Sequence, residues 1–451
     1  MVEDTVKKVI VIGGGVAAIN VIYQLIKANQ KFNITCITQE KYYDYSTCGM
    51  PYVLEGVVKK LEDIILHTPE FFSEKGVKVL VNIEVVDIDL TNHRVTIKNN
   101  ENQNKQMDYD YLVLATGRVP FKPPIKGIDL PGVHVLMTLE HCMQLQSTMP
   151  NVKSAVVIGG GAIGLEVALA FNAHKIKTTV VELTPSVLPV MLDPDMGKLV
   201  EDWLTAKGIQ ILTSTKVQEI TGSQQVAGVL LEDGTELPAN LVLLSTGIRP
   251  NVALAKAVGL DLGPLGGIKV DGKQNVFLNG HILGDVFALG DCVETRNLIT
   301  GTPMVCALAS MAIVQARAIT NNILGKPSVP VTTVTPALTY LAGLQVGTVG
   351  LTAFATEKAG IAFKTATTEG KSQSRYIPGW KNIYFKFLAN GDRLIGAQII
   401  SERDVKERIN ALTLVIRENI SISTLLQTER CYTPPLALLT DPMFKALEQL
   451  I

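Results

Sequence analysis

The chain has 451 residues, 47% hydrophobic and 18% charged, which is enough for about three domains of roughly 100–200 residues, each with a sizeable core. A formal net charge of −1 argues against broad attraction to nucleic acid or to an anionic membrane. The first apolar run, Val9 to Ile12, meets Gly13 too soon for a signal peptide, and no later run approaches the ~20 apolar residues of a membrane helix.

Six cysteines (Cys36, Cys48, Cys142, Cys292, Cys306 and Cys431) are scattered without a CxxC pair, and they have no zinc-ligand spacing with the six histidines. A reduced, cytoplasmic chain with no metal site is the expectation.

In chain order, the apolar strand Val9–Ile12 runs into Gly13-Gly14-Gly15 and then a helix carrying Ala18. This matches the dinucleotide fingerprint, in which glycines let the backbone approach a pyrophosphate at a helix N-terminus and a small residue permits close packing of helix on strand. The following strand, "NITCIT", ends at Thr38 where the fingerprint has a ribose-binding acid, with Glu40 two residues on; Cys36 lies in that strand and reads as core. Next comes "YYDYSTCGMPYVLEG", which holds Cys48 where the chain should enter a helix. A helix N-terminus there would favour a thiolate. His67 in "ILHTPEFF" precedes a helix start at Thr68-Pro69 and reads as a surface or capping histidine. The Asn-rich stretch Asn99 to Asn104 reads as a hairpin turn.

"YDYLVLATGRVP" ends a strand at Ala115-Thr116-Gly117. "SAVVIGGGAIGLEVALAFNA" then repeats the first plan with Gly159, Gly161, Ile163 and Gly164. A single glycine fingerprint is weak evidence and fits an ordinary α/β turn; two, each opening an α/β unit, are much stronger. Glu182 ends the next strand, and a carboxylate there repels a 2′-phosphate, so NADH is expected over NADPH. Glu166 either stands near a nicotinamide or pairs with a lysine on its helix face. "ANLVLLSTGIRPN" repeats the earlier strand end at Ser245-Thr246-Gly247, and "GDVFALGDCVET" sets Asp291 at a strand end with a helix expected after it. A carboxylate at a helix start suits the ribityl hydroxyls and polar ring edge of a flavin.

In this order, GGGVAA, ATG, GGGAIGLE, STG and ALGDC resemble the FAD-dependent pyridine nucleotide–disulfide oxidoreductases over nearly the whole chain. The resemblance implies an α/β fold with two Rossmann-like domains of the glutathione-reductase type and an α+β C-terminal dimerisation domain. Residues 1–117 and 246–326 would bind FAD, residues 118–245 NAD(H), and residues 327–451 would form a homodimer. Gly13, Gly15, Ala18, Glu40, Ala115, Thr116, Gly117 and Asp291 fall on the FAD side. Gly159, Gly161, Ile163, Gly164, Glu166, Glu182 and Gly247 fall on the pyridine-nucleotide side.

Within this superfamily, enzymes with a CxxxxC or CxxC redox pair would place the second cysteine at Val53 or Pro51. No histidine follows His281, so the C-terminal histidine acid–base of the glutathione-type enzymes is missing too. Cys48-Gly49-Met50-Pro51-Tyr52 instead resembles the single-cysteine branch: coenzyme A disulfide reductases, NAD(P)H sulfur and persulfide reductases, NADH oxidases and NADH peroxidases. That implies one thiol at the flavin, bonded in turn to a disulfide half, a persulfide sulfur or a hydroxyl. Val16 stands where peroxidases and many oxidases of the branch place a histidine, which argues for a sulfur acceptor over peroxide or dioxygen.

By the same resemblance, Tyr376 and Tyr432 match the two C-terminal tyrosines on which coenzyme A disulfide reductases rely, with Tyr432 reaching the flavin site of the other subunit. A phenol can protonate a departing thiolate. Asp44 and Thr47 stand where those reductases have serine and asparagine, and the charge of Asp44 is expected to oppose the phosphates of coenzyme A. Cys431 reads as a small interface residue, with a resolving thiol as the alternative. The expected function is transfer of electrons from NADH through FAD to a small disulfide, persulfide or polysulfide on Cys48, with coenzyme A disulfide as a candidate. An NADH oxidase reducing dioxygen and a flavoprotein serving a protein partner are the alternatives.

Overall fold

The computed structural model describes residues 6–28, 30–98 and 103–451. Its first sheet grows from the strand Lys7–Ile12, whose last four residues are buried. That strand pairs in parallel with Phe32–Ile37 on one side and Tyr111–Leu114 on the other. Val77–Leu80 and His281–Ala288 extend the sheet in parallel, and Asn275–Leu278 closes it antiparallel, for six strands in all. Near-continuous Val/Ile/Leu runs suit this arrangement because helices cover both faces of a parallel sheet. The sheet therefore joins residues 7–114 to residues 275–288, across an intervening unit.

The intervening unit has its own five-stranded parallel sheet, in the order Gln210–Leu212, Lys177–Val181, Ser154–Ile158, Leu241–Leu244, Val133–His134. A two-stranded ribbon links the units: Arg118–Pro120 pairs antiparallel with Ile248–Pro250. Each Thr-Gly strand end feeds this ribbon. Asn251 N–H donates to Gly117 O at 2.9 Å and Phe121 N–H donates to Gly247 O at 3.0 Å. The duplicated motif at Thr116 and Thr246 is thus the crossover between the units.

The third unit is a five-stranded antiparallel sheet, Ala337–Leu341, Leu344–Gly350, Arg393–Ser401, Asn382–Asn390 and Lys364–Lys371. The helix Val405–Arg417 packs on it so tightly that a Cβ at Gly347 would lie 2.6 Å from Val405 and Ile409.

Two expectations need comment. Of the Asn99–Asn104 stretch, residues 99–102 lie outside the described residues; the strands on either side pair antiparallel, Lys98 opposite Asn104. The helix expected after Asp291 is not there. Gly290–Cys292 is a single 3-10 turn, and the chain then re-enters a strand, Glu294–Asn297. The turn opens with a positive φ of 81° at Gly290, and Glu294 is held in the strand by Leu265 N–H and Gly267 N–H donating to its carboxylate. The long helix begins only at Ala309. Among the described residues, no helix is long and apolar enough to cross a membrane.

A buried polar network ties the second unit to the third sheet. Asp193 is 2% exposed and receives hydrogen bonds from Gln398 Nε2 (2.8 Å) and Ala353 N–H (2.8 Å). Lys386 Nζ lies 3.1 Å from Asp193 and 2.7 Å from Asp195. Removing one partner of a buried pair leaves the other charge uncompensated. Lys386→Met is expected to cost about 3 kcal/mol, read as a lower midpoint of urea unfolding at unchanged slope.

Candidate active site

The first glycine loop sits at the centre of a cavity of about 720 Å³. Gly13 has a φ of +130°, and a Cβ there would fall 2.1 Å from Ala115 O. Only glycine allows this contact between the two strand ends. Gly15, by contrast, has nothing within 4 Å of a built Cβ, so the start of the helix Val16–Ile26 faces open space. Ala18 is fully buried on that helix, where it lets helix and strand approach.

Around the loop the cavity is lined by Thr38, Glu40, Asp44, Cys48, His67, Thr116, Arg118 and Asp291. A glycine loop with an open helix start and carboxylates on the lining fit a dinucleotide such as FAD. Thr38 holds the acid's usual place against the loop, since a Cβ at Gly14 would lie 3.1 Å from its hydroxyl. Glu40 places a carboxylate on the cavity lining. Tyr45 donates to its Oε2 at 2.6 Å, and burial raises its carboxyl above the ordinary range against that hydrogen bond.

Arg118 was not among the residues singled out in the sequence. Its guanidinium donates to Asp291 Oδ2, and its Nε is buried without a hydrogen-bond partner. The chain order gives no sign of this partner, since Arg118 and Asp291 lie 173 positions apart. Asp291 is therefore a paired carboxylate rather than a free one.

The second loop repeats the geometry. Gly159 has a φ of +110° against Ser245 O, and a Cβ at Gly164 would lie 2.2 Å from Gly159 O. Gly161 faces open space at the start of the helix Ala162–Ala173, which carries Ile163, 37% exposed. Glu182 is buried at the strand end, and Gly160 N–H donates to its Oε2 at 2.6 Å. Thr184 donates to its other oxygen from both N–H and hydroxyl at 2.8 Å. Glu166 does not pair with a lysine. Thr339 of the third sheet donates to it at 2.7 Å, and burial raises its carboxyl despite that bond.

Cys48 lies in the 3-10 turn Thr47–Gly49, which leads directly into the helix Met50–Glu55. It is an exposed thiol that lines the cavity, whereas Cys36, Cys142, Cys292 and Cys306 are buried. Val53 and Pro51 of its helix are buried too. Tyr52, on the next turn, has its hydroxyl pushed up to about 12, first by burial and then by the nearby charges of Glu166, Glu55 and Cys48.

One expectation near Asp44 is corrected. His67 is not a capping residue: its Nδ1 lies 2.6 Å from Asp44 Oδ2, and the Tyr23 hydroxyl lies 2.9 Å from Nδ1 and 3.2 Å from Nε2. Asp44 is only 5% exposed, and burial raises its carboxyl above the ordinary range against the hydrogen bond with His67. Tyr376 and Tyr432 line no part of the Cys48 cavity within one chain, being 72% and 45% exposed on the third unit. Their segments do meet, through Ser374 N–H donating to Pro434 O at 3.4 Å. Gly247 lies at the crossover ribbon, away from the cavity wall. Among the described residues no group of three or more His, Cys, Asp or Glu is placed to hold a metal ion.

The family model for pyridine nucleotide-disulphide oxidoreductases matches residues 7–316, and the model for their dimerisation domain matches residues 335–441. The chain belongs to this family. It is 35% identical to an NADH oxidase of Methanocaldococcus jannaschii, over 98% of both chains. It is 30% identical to a CoA-dependent NAD(P)H sulfur oxidoreductase of Pyrococcus abyssi, over 97% of this chain and 96% of that one. Among solved structures, a NAD-dependent persulfide reductase from A. fulgidus superposes with a TM-score of 0.94 at 31% identity, covering 98% of this chain and 82% of that one.

The pairing of Arg118 with Asp291 gives this oxidoreductase a testable feature. Hydrogen bonds to charged groups contribute about 1.5–3 kcal/mol. Arg118→Leu should therefore weaken flavin retention roughly tenfold to a hundredfold, measured as flavin absorbance remaining with the protein after dialysis. Undiminished retention would assign the pair to folding alone.

Proposed function

We propose that this chain is a homodimeric, FAD-dependent NADH oxidoreductase that reduces a low-molecular-weight disulfide, persulfide or polysulfide held on Cys48. The observation that carries this reading is Cys48 itself, the one exposed thiol among the described residues of a cavity built around a dinucleotide loop. We further propose the domain plan 1–117 with 246–326 for FAD, 118–245 for NAD(H), and 327–451 for dimerisation.

FAD, when bound, takes a hydride from NADH and returns an electron pair to sulfur. Gly13, Gly15, Glu40, Thr116 and Asp291 would hold it, with Arg118 orienting Asp291. Gly159, Gly161, Gly164 and Glu182 would hold NADH, and Glu166 stands one turn into the same helix. The Cys48 thiolate attacks the acceptor's sulfur, forming a mixed disulfide and releasing one thiolate. Reduction of the mixed disulfide releases the second thiol and restores Cys48. With Val53 and Pro51 at the positions of a partner cysteine, no local disulfide competes for the electrons.

Coenzyme A disulfide is a reasonable acceptor, because the Asp44 carboxylate is buried against His67. Homodimerisation is supported by the match to a dimerisation domain and by Tyr376, Tyr432, Leu436 and Leu439, all exposed in the single chain. In a dimer, Tyr432 would approach the partner's cavity. The second reading, an NADH oxidase, is favoured by the M. jannaschii relative.

Anaerobic reduction with NADH, followed by separate mixing with coenzyme A disulfide, polysulfide and air, distinguishes the two by flavin absorbance. Fast reoxidation by a sulfur compound, lost in Cys48→Ser, is expected. Fast reoxidation by air alone would overturn the reductase reading in favour of the oxidase.

Glu182→Gln keeps an acceptor for Gly160 N–H and removes the charge that opposes a 2′-phosphate. The ratio of kcat/KM for NADPH over NADH is expected to rise about tenfold, measured by steady-state kinetics with each nucleotide.

A further inference from the structure

The two glycine loops differ in how a carboxylate reaches them. At the second, Glu182 follows the strand Lys177–Val181 and meets the loop directly: Gly160 N–H donates to its Oε2 at 2.6 Å, and a Cβ at Gly160 would lie 3.2 Å from its side chain. At the first, Thr38 follows the strand Phe32–Ile37 and takes the same place, with its hydroxyl 3.1 Å from a Cβ built at Gly14. Threonine brings no charge there. Its hydroxyl accepts from Glu40 N–H at 3.2 Å, and this turn sets Glu40 on the lining of the cavity that holds the loop. The turn is also fixed from its other side, by Ile83 N–H donating to Thr38 O at 3.0 Å and Asn82 N–H donating to Glu40 O at 3.2 Å.

One contact orients the Glu40 side chain. The Tyr45 hydroxyl donates to its Oε2 at 2.6 Å, and among the described residues its Oε1 accepts no hydrogen bond. Tyr45 lines the same cavity. Its hydroxyl is pushed well above the ordinary range, first by burial and then by the charge of Glu40, so it stays a donor. The phenol is itself anchored. The Tyr45 backbone is bridged antiparallel to Ile65, and its ring packs against the core that contains Leu139, Cys142 and Leu145 of the helix Leu139–Thr148. Nearby, the Tyr42 hydroxyl meets Met143 Sδ of that helix at 3.7 Å. A carboxylate with one oxygen tied to an anchored phenol has lost most of its rotamer freedom before a ligand arrives.

We propose that Tyr45 is a positioning residue of the FAD site: it holds Glu40 so that the free carboxylate oxygen accepts from the adenosine ribose hydroxyls of FAD. This rests on the proposed FAD site and deepens it, by assigning a part of the cofactor to Glu40 and a role to Tyr45. In the dinucleotide fingerprint, the ribose hydroxyls are met by an acid at the end of the second strand. Here that acid stands two residues further on and returns to the site through the turn on Thr38. A longer reach adds freedom that binding would have to remove, and the bond from Tyr45 removes it in advance. The two loops thus use different means to the same end: backbone N–H and a threonine hold Glu182, and a tyrosine side chain holds Glu40.

The test is a competition for the flavin site. Holoprotein is equilibrated with equal, excess amounts of FAD and of an FAD analogue that lacks both hydroxyls of its adenosine ribose, then desalted, and the two bound flavins are quantified by chromatography. The parent protein is expected to prefer FAD about 10- to 100-fold, the range for hydrogen bonds to a charged group. Glu40→Ala should abolish the preference, and Glu40→Gln should reduce it and serves if the alanine variant folds poorly. Tyr45→Phe keeps the ring in its core and should lower the preference about fivefold. In the Glu40→Ala background, Tyr45→Phe should change it no further, because the phenol acts through the carboxylate. A parent protein that takes both flavins equally overturns the proposal. So does an unchanged preference in Tyr45→Phe, or an equal loss with and without Glu40, which would assign the tyrosine to packing. Retention of neither flavin by the parent would overturn the FAD reading itself.

Discussion

The position of Cys48 depends on the packing of one short helix. Met50, Val53 and Leu54 of the helix Met50–Glu55 sit in a core that includes Leu165, Ala168 and Phe171 from the second glycine-loop helix and Leu341, Val346 and Ile400 from the C-terminal sheet. All three architectural units thus hold the turn that carries the thiol. Close-packed interiors have little freedom to shift, so the turn that carries the cysteine is fixed by the apolar contacts of the helix that follows it.

The polar groups of the cavity follow a different rule. Three carboxylates there are each held by a neighbour: Asp291 by Arg118, Glu40 by Tyr45, Asp44 by His67. Burying an unpaired charge is costly, and the pairing lets these groups stay where a cofactor or substrate can meet them.

The glycine loops, the strand-end Thr-Gly pairs and the solitary cysteine were legible because each depends on local backbone geometry. Gly13 and Gly159 need conformations that only glycine adopts freely, and their roles can be read from a short window. Asp291 was legible as a carboxylate at a strand end, but the helix expected after it was not formed: the strand pairing of Glu294–Asn297 and the anchoring of Glu294 by distant amides outweigh the local pattern. His67 looked like a residue beside a helix cap. Its partners Asp44 and Tyr23 lie 23 and 44 positions away, and no periodicity links them. Glu166 illustrates the same limit, since Thr339 reaches it from another unit.

The amino-acid order by itself determined the two dinucleotide folds, their sequence of motifs and the absence of a partner for Cys48 within its own helix. Each of these is written in apolar periodicity, in glycine placement or in spacing along the chain, and such signals act over a few residues. Tertiary structure alone decided which charges neutralise which: Arg118 with Asp291, His67 with Asp44, Lys386 with Asp193. Those pairs are set by distance in space, and the cost of desolvating a charge selects its partner only once the strands and helices have been brought together.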